Sequence, residues 1–442
     1  MRKILSIVLV VLLLSSAMPR IVTPAAAYET KIPCDNGDNK LTKDELVKAI
    51  LPYMLDEGKY SLDEIGDAAY VYAHWDGEPK TIIDMAGYEI TFYKPPERVI
   101  AISRSLIDTT MYIFGVEELL VGGSYFAETS KTKYIYNGVD YTVNTQVQLV
   151  LVPKIKKLPN VGGFGSGPYG IVSTEKIASL NPDLLIVRDF CNCDEEDFNR
   201  PISIIRGLGI SVVILKYLNC YDEPEVSTIY DEIELLGKIF DNQEKAAEIN
   251  EYLDYQVQFI TERTKEIKEE DKPRVLYFGI PSWAGEEGGT GVVFGVDQIE
   301  SVLLEKVINA KNAYAGTGTP IISSEQLLAL DPDIIILPTY SGYHPPREMY
   351  EEGRFANIQE LRALKERRIH SLATMPCKSE RLEFPINLMI EAKAVYPERF
   401  EDIDLDEWID NYFQGLYHID DKTVEELKKT QMLYYLEITT EK

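Results

Sequence analysis

The chain has 442 residues, with 45 Lys or Arg against 72 Asp or Glu, for a formal net charge of −27. Such a surface repels polyanions and excludes nucleic acid as a natural partner, whereas a cation, a metal complex or a neutral solute meets no long-range penalty. The length exceeds what one hydrophobic core sustains and predicts two or more domains; five cysteines are too few for disulfides to build the fold.

Residues 1–27 read as an export leader. Arg2 and Lys3 precede an apolar run from Ile4 to Leu14, and polar and turn residues then lead to Ala25-Ala26-Ala27, a small-residue cleavage pattern. The run is shorter than the about 20 residues that cross a bilayer, so cleavage near Tyr28 is expected. The product is then secreted, into a periplasm or onto the outer face of the cell membrane.

Residues 28–87 form a small acidic preface. The loop Asn36 to Lys40 feeds the apolar Leu46 to Leu51, and Tyr60-Ser61-Leu62-Asp63-Glu64-Ile65 echoes Leu41-Thr42-Lys43-Asp44-Glu45-Leu46, which predicts two short helices with similar entries.

A lobe over 88–222 follows. Val99 to Ile102 is a short apolar strand, Ser103-Arg104-Ser105 a loop, and Leu106 to Phe114 an amphipathic helix; Leu184 to Val187 and Val212 to Leu215 repeat the strand signal. Buried strands alternating with helices predict a parallel sheet covered on both faces. Residues 223–271 carry apolar positions at helical spacing, with Gly237 the only glycine between Glu225 and Glu270, and predict one long connecting helix whose candidate break is Asp241-Asn242. Pro273 ends it.

The pattern then restarts over 272–442. Arg274 to Gly279 resembles Arg98 to Ser103, and Ser173 to Val187 matches Ser323 to Leu337, each copy being a capped helix, a Pro-Asp turn and a buried strand. The fold class is therefore α/β: two three-layer, Rossmann-like lobes joined by a long rigid helix and preceded by a small helical segment. Such lobes create a cleft faced by the loops at the carboxyl ends of their strands.

Taken in order, Pro96-Glu97-Arg98-Val99-Ile100, Gly115-Val116, Val161-Gly162-Gly163 ahead of Ser173 to Ile177, both Pro-Asp strands, Arg381, and Ala392 to Phe400 resemble the helical-backbone (class III) solute-binding proteins of ATP-driven importers for ferric siderophores, haem and cobalamin. The resemblance covers about residues 90–400. It implies a monomer that binds a small-molecule metal complex, an iron chelate or corrinoid, and delivers it to a membrane permease driven by an ATPase, with no catalytic cofactor. Relatives that carry oxyanions such as molybdate or tungstate supply the alternative. No nucleophile elbow, HExxH sequence or Walker motif is present, so a metal-chelate enzyme rests on no positive signal.

The preface resembles a calcium loop of the EF-hand or dockerin kind. With Glu45 twelfth, Cys34, Asn36 and Asp38 take the first, third and fifth places, the Lys40 carbonyl the seventh and Thr42 the ninth. Cys34 in place of a carboxylate and Asn39 in place of glycine depart from the pattern.

Arg104 follows the first strand and could meet a carboxylate or oxyanion, as could Arg188 and Arg381. Tyr125, Phe164 and Tyr169 on one lobe, and Trp283, Tyr340 and Tyr343 on the other, could hold the flat apolar part of a guest. Gly162 to Gly167 lacks the context of a phosphate loop and reads as a cleft wall. Cys220 could form a disulfide with Cys191 or Cys193 if their strands are neighbours.

Overall fold

The computed structural model describes residues 38, 40–55, 60–103, 105–124, 131–144, 147–164, 172–191, 194–280, 290–339, 342–351, 353–372 and 381–435. Residues 1–27, expected from the sequence to be an export leader, lie outside them. The chain divides into two compact units, residues 1–81 with 91–94, and residues 82–90 with 95–442.

In the smaller unit, α1 (Lys43–Met54) and α2 (Leu62–His74) both open with a capping box. The Thr42 N–H and hydroxyl donate to Glu45 Oε2 at 2.9 and 2.7 Å, and those of Ser61 donate to Glu64 Oε2 at 2.8 and 2.9 Å. The similar entries predicted from sequence thus reflect one local device, which satisfies helix N–H groups that have no partner within the helix. Leu41, Leu46, Ala68 and Val71 form the core beneath. A two-stranded ribbon, β1 (Lys80–Ile83) and β2 (Glu89–Phe92), follows, and its residues 82–90 belong to the larger unit.

In the larger unit, the first lobe holds β3 (Val99–Ile102), α3 (Leu106–Phe114) and β4 (Leu120–Gly123). An excursion with β5 (Lys131–Thr132), β6 (Ile135–Tyr136), β7 (Val139–Asp140) and β8 (Val143–Asn144) interrupts it. After α4 (Gln148–Leu151) and α5 (Thr174–Ser179) come β9 (Leu184–Asp189), α6 (Glu195–Gly207) and β10 (Ser211–Lys216). The strands lie in the order β10-β9-β3-β4 and every pair is parallel, as their near-continuous apolar runs predict. The ribbon's turn closes the open edge of β10: buried Asp84 accepts the Ile214 N–H, and the Met85 N–H donates to the Ile214 carbonyl at 3.0 Å.

The connector is two helices, α7 (Ser227–Phe240) and α8 (Gln243–Thr264), broken where Asp241 turns left-handed at φ 54°. The break falls at the predicted dipeptide, since the short polar side chain of Asp tolerates that backbone region.

The second lobe contains β11 (Arg274–Gly279), β12 (Gly291–Val293), α9 (Ile299–Leu303), β13 (Lys311–Asn312), β14 (Ile321–Ile322), α10 (Ser324–Leu330), β15 (Ile334–Leu337), α11 (Arg347–Tyr350), α12 (Arg362–Lys365), β16 (Ile369–Ser371) and α13 (Phe384–Val395). Its sheet departs from the all-parallel expectation. The pairs β11–β15, β15–β16 and β11–β13 are parallel, but β12 and β14 join antiparallel at one edge. Short stretches such as Ile321-Ile322 carry too little pattern to reveal direction. Two last helices, α14 (Leu405–Tyr417) and α15 (Asp421–Thr430), return toward the first lobe, where the Tyr417 ring meets Tyr112 on α3 at 6.2 Å.

Candidate functional site

Both sheets point the carboxyl ends of their strands at loops, where α/β folds place ligands. Of the residues predicted to meet a solute, Arg104, Tyr125, Tyr169, Trp283 and Tyr340 lie outside the described residues, as does Cys193. Four others are placed: Phe164, Arg188, Arg381 and Tyr343. Phe164 is half-buried and packs on Phe198 of α6, ring centroids 4.8 Å apart. Arg381 is half-buried ahead of α13, with a guanidinium N–H donated to Gln431 at 3.3 Å.

Arg188 departs from the expectation of a rim contact. Its side chain is fully buried, as is that of Glu232 on α7, and its Nε donates to Glu232 Oε1 at 2.6 Å while a second guanidinium N–H reaches Oε2. Burial pushes the Glu232 carboxyl up to about 7, with the Arg188 charge and hydrogen bonds pulling the other way. β9 is buried along its length from Leu184 to Arg188, and the ion pair joins the first lobe to the connector.

Cys220 pairs with Cys191, Cα atoms 5.6 Å apart. The disulfide ties the end of β9 to the turn after β10, as adjacency of these two strands allows. Asp189, Cys191 and Cys220 bring three donor atoms together, but the two sulfurs are consumed in the bond and are not thiolate ligands. The neighbouring Asn219 crosses to the second lobe: its amide donates to Gln298 at 3.1 Å and its Oδ1 accepts the Ile299 N–H at 3.0 Å, at the start of α9.

A second crossing had gone unread in the sequence. The β5–β8 excursion of the first lobe lays Tyr134, Tyr136 and Tyr141 on the loop after β15. The Tyr343 N–H donates to the Tyr141 carbonyl at 3.0 Å. The Tyr141 ring lies 5.9 Å from Tyr343 and 5.0 Å from Tyr435. Tyr134 covers the His344 imidazole at 3.8 Å between centroids. The Tyr136 hydroxyl donates to Glu351 and an Arg347 guanidinium N–H donates to the Tyr141 hydroxyl. Close approach requires Gly342, which sits at φ 120°: a Cβ there would lie 2.4 Å from Tyr134 Cβ. The available signal was Asn137-Gly138, both left-handed at φ 47° and 77°, the dipeptide of a tight hairpin turn between β6 and β7.

Beneath Tyr134, His344 Nδ1 lies 3.0 Å from Oε2 of Glu348, four residues on in α11, and both residues are buried. A carboxylate only accepts, so Nδ1 carries the proton. Burial first and the Glu348 charge second push the Tyr134 phenol far above its ordinary range, and it stays neutral.

In the preface, Asn36 lies outside the described residues. Asp38 accepts the Lys40 N–H at 2.9 Å, and the Lys40 ammonium pairs with Asp76 and Glu78 at 3.0 and 3.2 Å. Thr42 and Glu45 form the capping box.

These features meet known proteins at one point. The periplasmic binding protein family matches residues 133–369, just over half of the chain, and the chain belongs to that family. It is 24% identical over 328 residues, 73% of its own length and 88% of the other's, to an uncharacterised ABC transporter substrate-binding lipoprotein, YvrC, of Bacillus subtilis. It is also 24% identical over 283 residues, 60% of its length and 74% of the other's, to the molybdate-binding protein MolA of Haemophilus influenzae. The crystal structure of a periplasmic solute-binding protein from Veillonella parvula shares the fold, with TM-score 0.60 at 20% identity, covering 80% of this chain and 99% of that one. Membership of that family makes the chain an extracytoplasmic solute-binding protein, a carrier and not an enzyme. Among the described residues no helix is long and apolar enough to cross a membrane.

Proposed function

We propose that the solute is a small metal complex, an iron chelate of the siderophore kind or a corrinoid, held between the lobes and released to the permease. The observation that supports this reading is the cluster of half-buried Tyr134, Tyr136 and Tyr435, backed by the buried Tyr141 and Tyr343, beside the loop after β15, which suits the flat, partly apolar surface of a large guest better than a bare ion. Arg104 and Arg381 would meet anionic groups on its rim, with Tyr125, Phe164, Tyr169, Trp283 and Tyr340 completing the walls. Arg188 has no part in it.

The likeness to a molybdate-binding protein favours a second reading, a molybdate or tungstate-type oxyanion held by a nest of N–H donors. Native purification followed by absorption spectroscopy and intact ligand-bound mass separates the two. A visible chelate or corrin band with its matching mass supports the first; a colourless protein carrying molybdate or tungstate overturns it. In the preface, calcium held by Asn36, Asp38, the Lys40 carbonyl, Thr42 and Glu45 is a separate reading. Calorimetric titration of the whole mature chain should show calcium heat that Glu45→Gln abolishes, and equal isotherms would overturn it.

A further inference from the structure

The four histidines of the chain have unlike surroundings. His74 and His418 are exposed, and His370, on β16, is held neutral by burial and by the charge of Arg368, its imidazole depressed to about 4. His344 is 2% exposed; its Nδ1 faces Glu348, its carbonyl accepts the Ser371 hydroxyl, and its Nε2 is buried with no hydrogen-bond partner. Leaving a buried polar atom unmatched forfeits its hydration with nothing in return, so an imidazole built only for packing would find a second partner or give way to an apolar side chain. The arrangement is instead that of a metal-binding histidine: a carboxylate fixes the proton on Nδ1 and orients the ring, leaving a bare lone pair on Nε2. The residue sits in the loop at the carboxyl end of β15, where a solute site belongs, and its cover is the Tyr134 ring on the excursion that joins the lobes.

We propose that His344 is a ligand of the transported metal: its Nε2 lone pair replaces one water on the metal centre of the cargo when the Tyr134 segment lifts. The exchange moves no proton and no electron, since Nδ1 keeps its hydrogen against Glu348 and the metal keeps its oxidation state. Imidazole suits iron, copper, nickel and zinc, among others. The inference rests on the metal-complex reading above and narrows it, because the cargo must then carry an exchangeable coordination position. Glu348 is a positioning residue, and Tyr134 controls access.

The test uses the mature chain, labelled with ¹⁵N-histidine, in a His74→Gln, His418→Gln background that removes the exposed imidazoles. Three probes are titrated: aquacobinamide and ferric nitrilotriacetate, whose metals hold exchangeable water, and a coordinatively full ferric tris-hydroxamate. One of the open complexes should perturb the His344 Nε2 signal and lose roughly 10–100-fold in affinity in His344→Gln and in Glu348→Gln, while the full complex binds wild type and variants alike. Tyr134→Ala should speed association of the same open complex, a readout that does not require His344 to be replaced. If open complexes bind with His344 unperturbed and His344→Gln binds equally well, the ligation is overturned and the metal-complex reading survives. If no metal complex binds and molybdate does, both fall.

Discussion

The segments starting at Ser173 and Ser323 perform the same task in the two lobes and then part company. In each, serine caps a short helix through the N–H three residues on, at 3.3 Å. The helix ends in a left-handed residue, Asn181 at φ 46° or Asp331 at φ 37°. The aspartate of the Pro-Asp turn then grips the entry of the lobe's first strand: Asp183 accepts the Glu97 and Arg98 N–H groups at 2.7 and 3.0 Å, and Asp333 accepts that of Arg274 at 2.8 Å. Arg98 and Arg274 answer by donating to carbonyls at the helix end. Beyond the buried strand the likeness stops, with Arg188 standing where the second copy has Pro338. The amino ends of the strands keep a common clamp, and the carboxyl ends differ.

The sharpest way to break the comparison is at the buried contacts beside each strand. The first lobe uses the Arg188–Glu232 ion pair; the second uses a neutral phenol, Tyr277, whose hydroxyl donates to buried Glu391 at 2.7 Å. Removing one member of a buried pair leaves a desolvated charge, so Arg188→Ala should cost about 3–5 kcal/mol, whereas Arg188→Met with Glu232→Leu should cost much less. Equal losses in calorimetry would show that side-chain volume, and not the ion pair, holds the joint. Opening the loop with Cys191→Ser and Cys220→Ser should cost about 2–4 kcal/mol in denaturant unfolding. It should also raise hydrogen exchange at the Ile299 N–H that Asn219 receives. Unchanged exchange there would separate the disulfide from the inter-lobe contact. Tyr277→Phe should cost about 1–3 kcal/mol by chemical denaturation, the penalty for one missing donor to a buried carboxylate. A loss matching that of Arg188→Ala would erase the distinction between the lobes.

The cap, Pro-Asp turn and strand of each copy were legible from sequence because they are local, lying within fifteen residues, and recur; the grip of their aspartates on residues 97–98 and 274 joins distant segments and was not. The connector and its break at Asp241 were legible for the same reason, helical spacing with one interruption. What escaped depends on contacts between distant segments. Arg188 follows an apolar strand just as a rim arginine would, and only Glu232, a turn into another helix, turns it into a buried partner. The tyrosine wall joins residues near 134–141 to others near 343 and 435, a pairing with no trace in periodicity. The antiparallel edge of β12 and β14 escaped because two or three residues carry no direction. His344 is not among the residues read for the site, because its contact with Glu348, four residues on, exists only once the loop before α11 has folded.

The smallest predicted effect tests the clamp itself. Asp183→Ala and Asp333→Ala each remove an acceptor from backbone N–H groups at partly exposed strand entries, where water replaces the lost bonds, so each should cost about 1 kcal/mol. Asp333 also pairs with Arg362, and Asp331 joins that pair at 3.1 Å, which gives the second clamp an ionic brace the first lacks. Arg362 is 47% exposed, and an ion pair in that setting is worth about 0–1 kcal/mol and weakens with salt. The two substitutions should therefore differ slightly at low ionic strength, with Asp333→Ala the costlier, and converge at about 1 M salt, where the screening length falls to about 3 Å. Unfolding measured at both salt concentrations decides the point. A gap that persists in high salt would mean that the second clamp is stronger through its backbone bonds, and that the shared geometry of the two copies conceals unequal work.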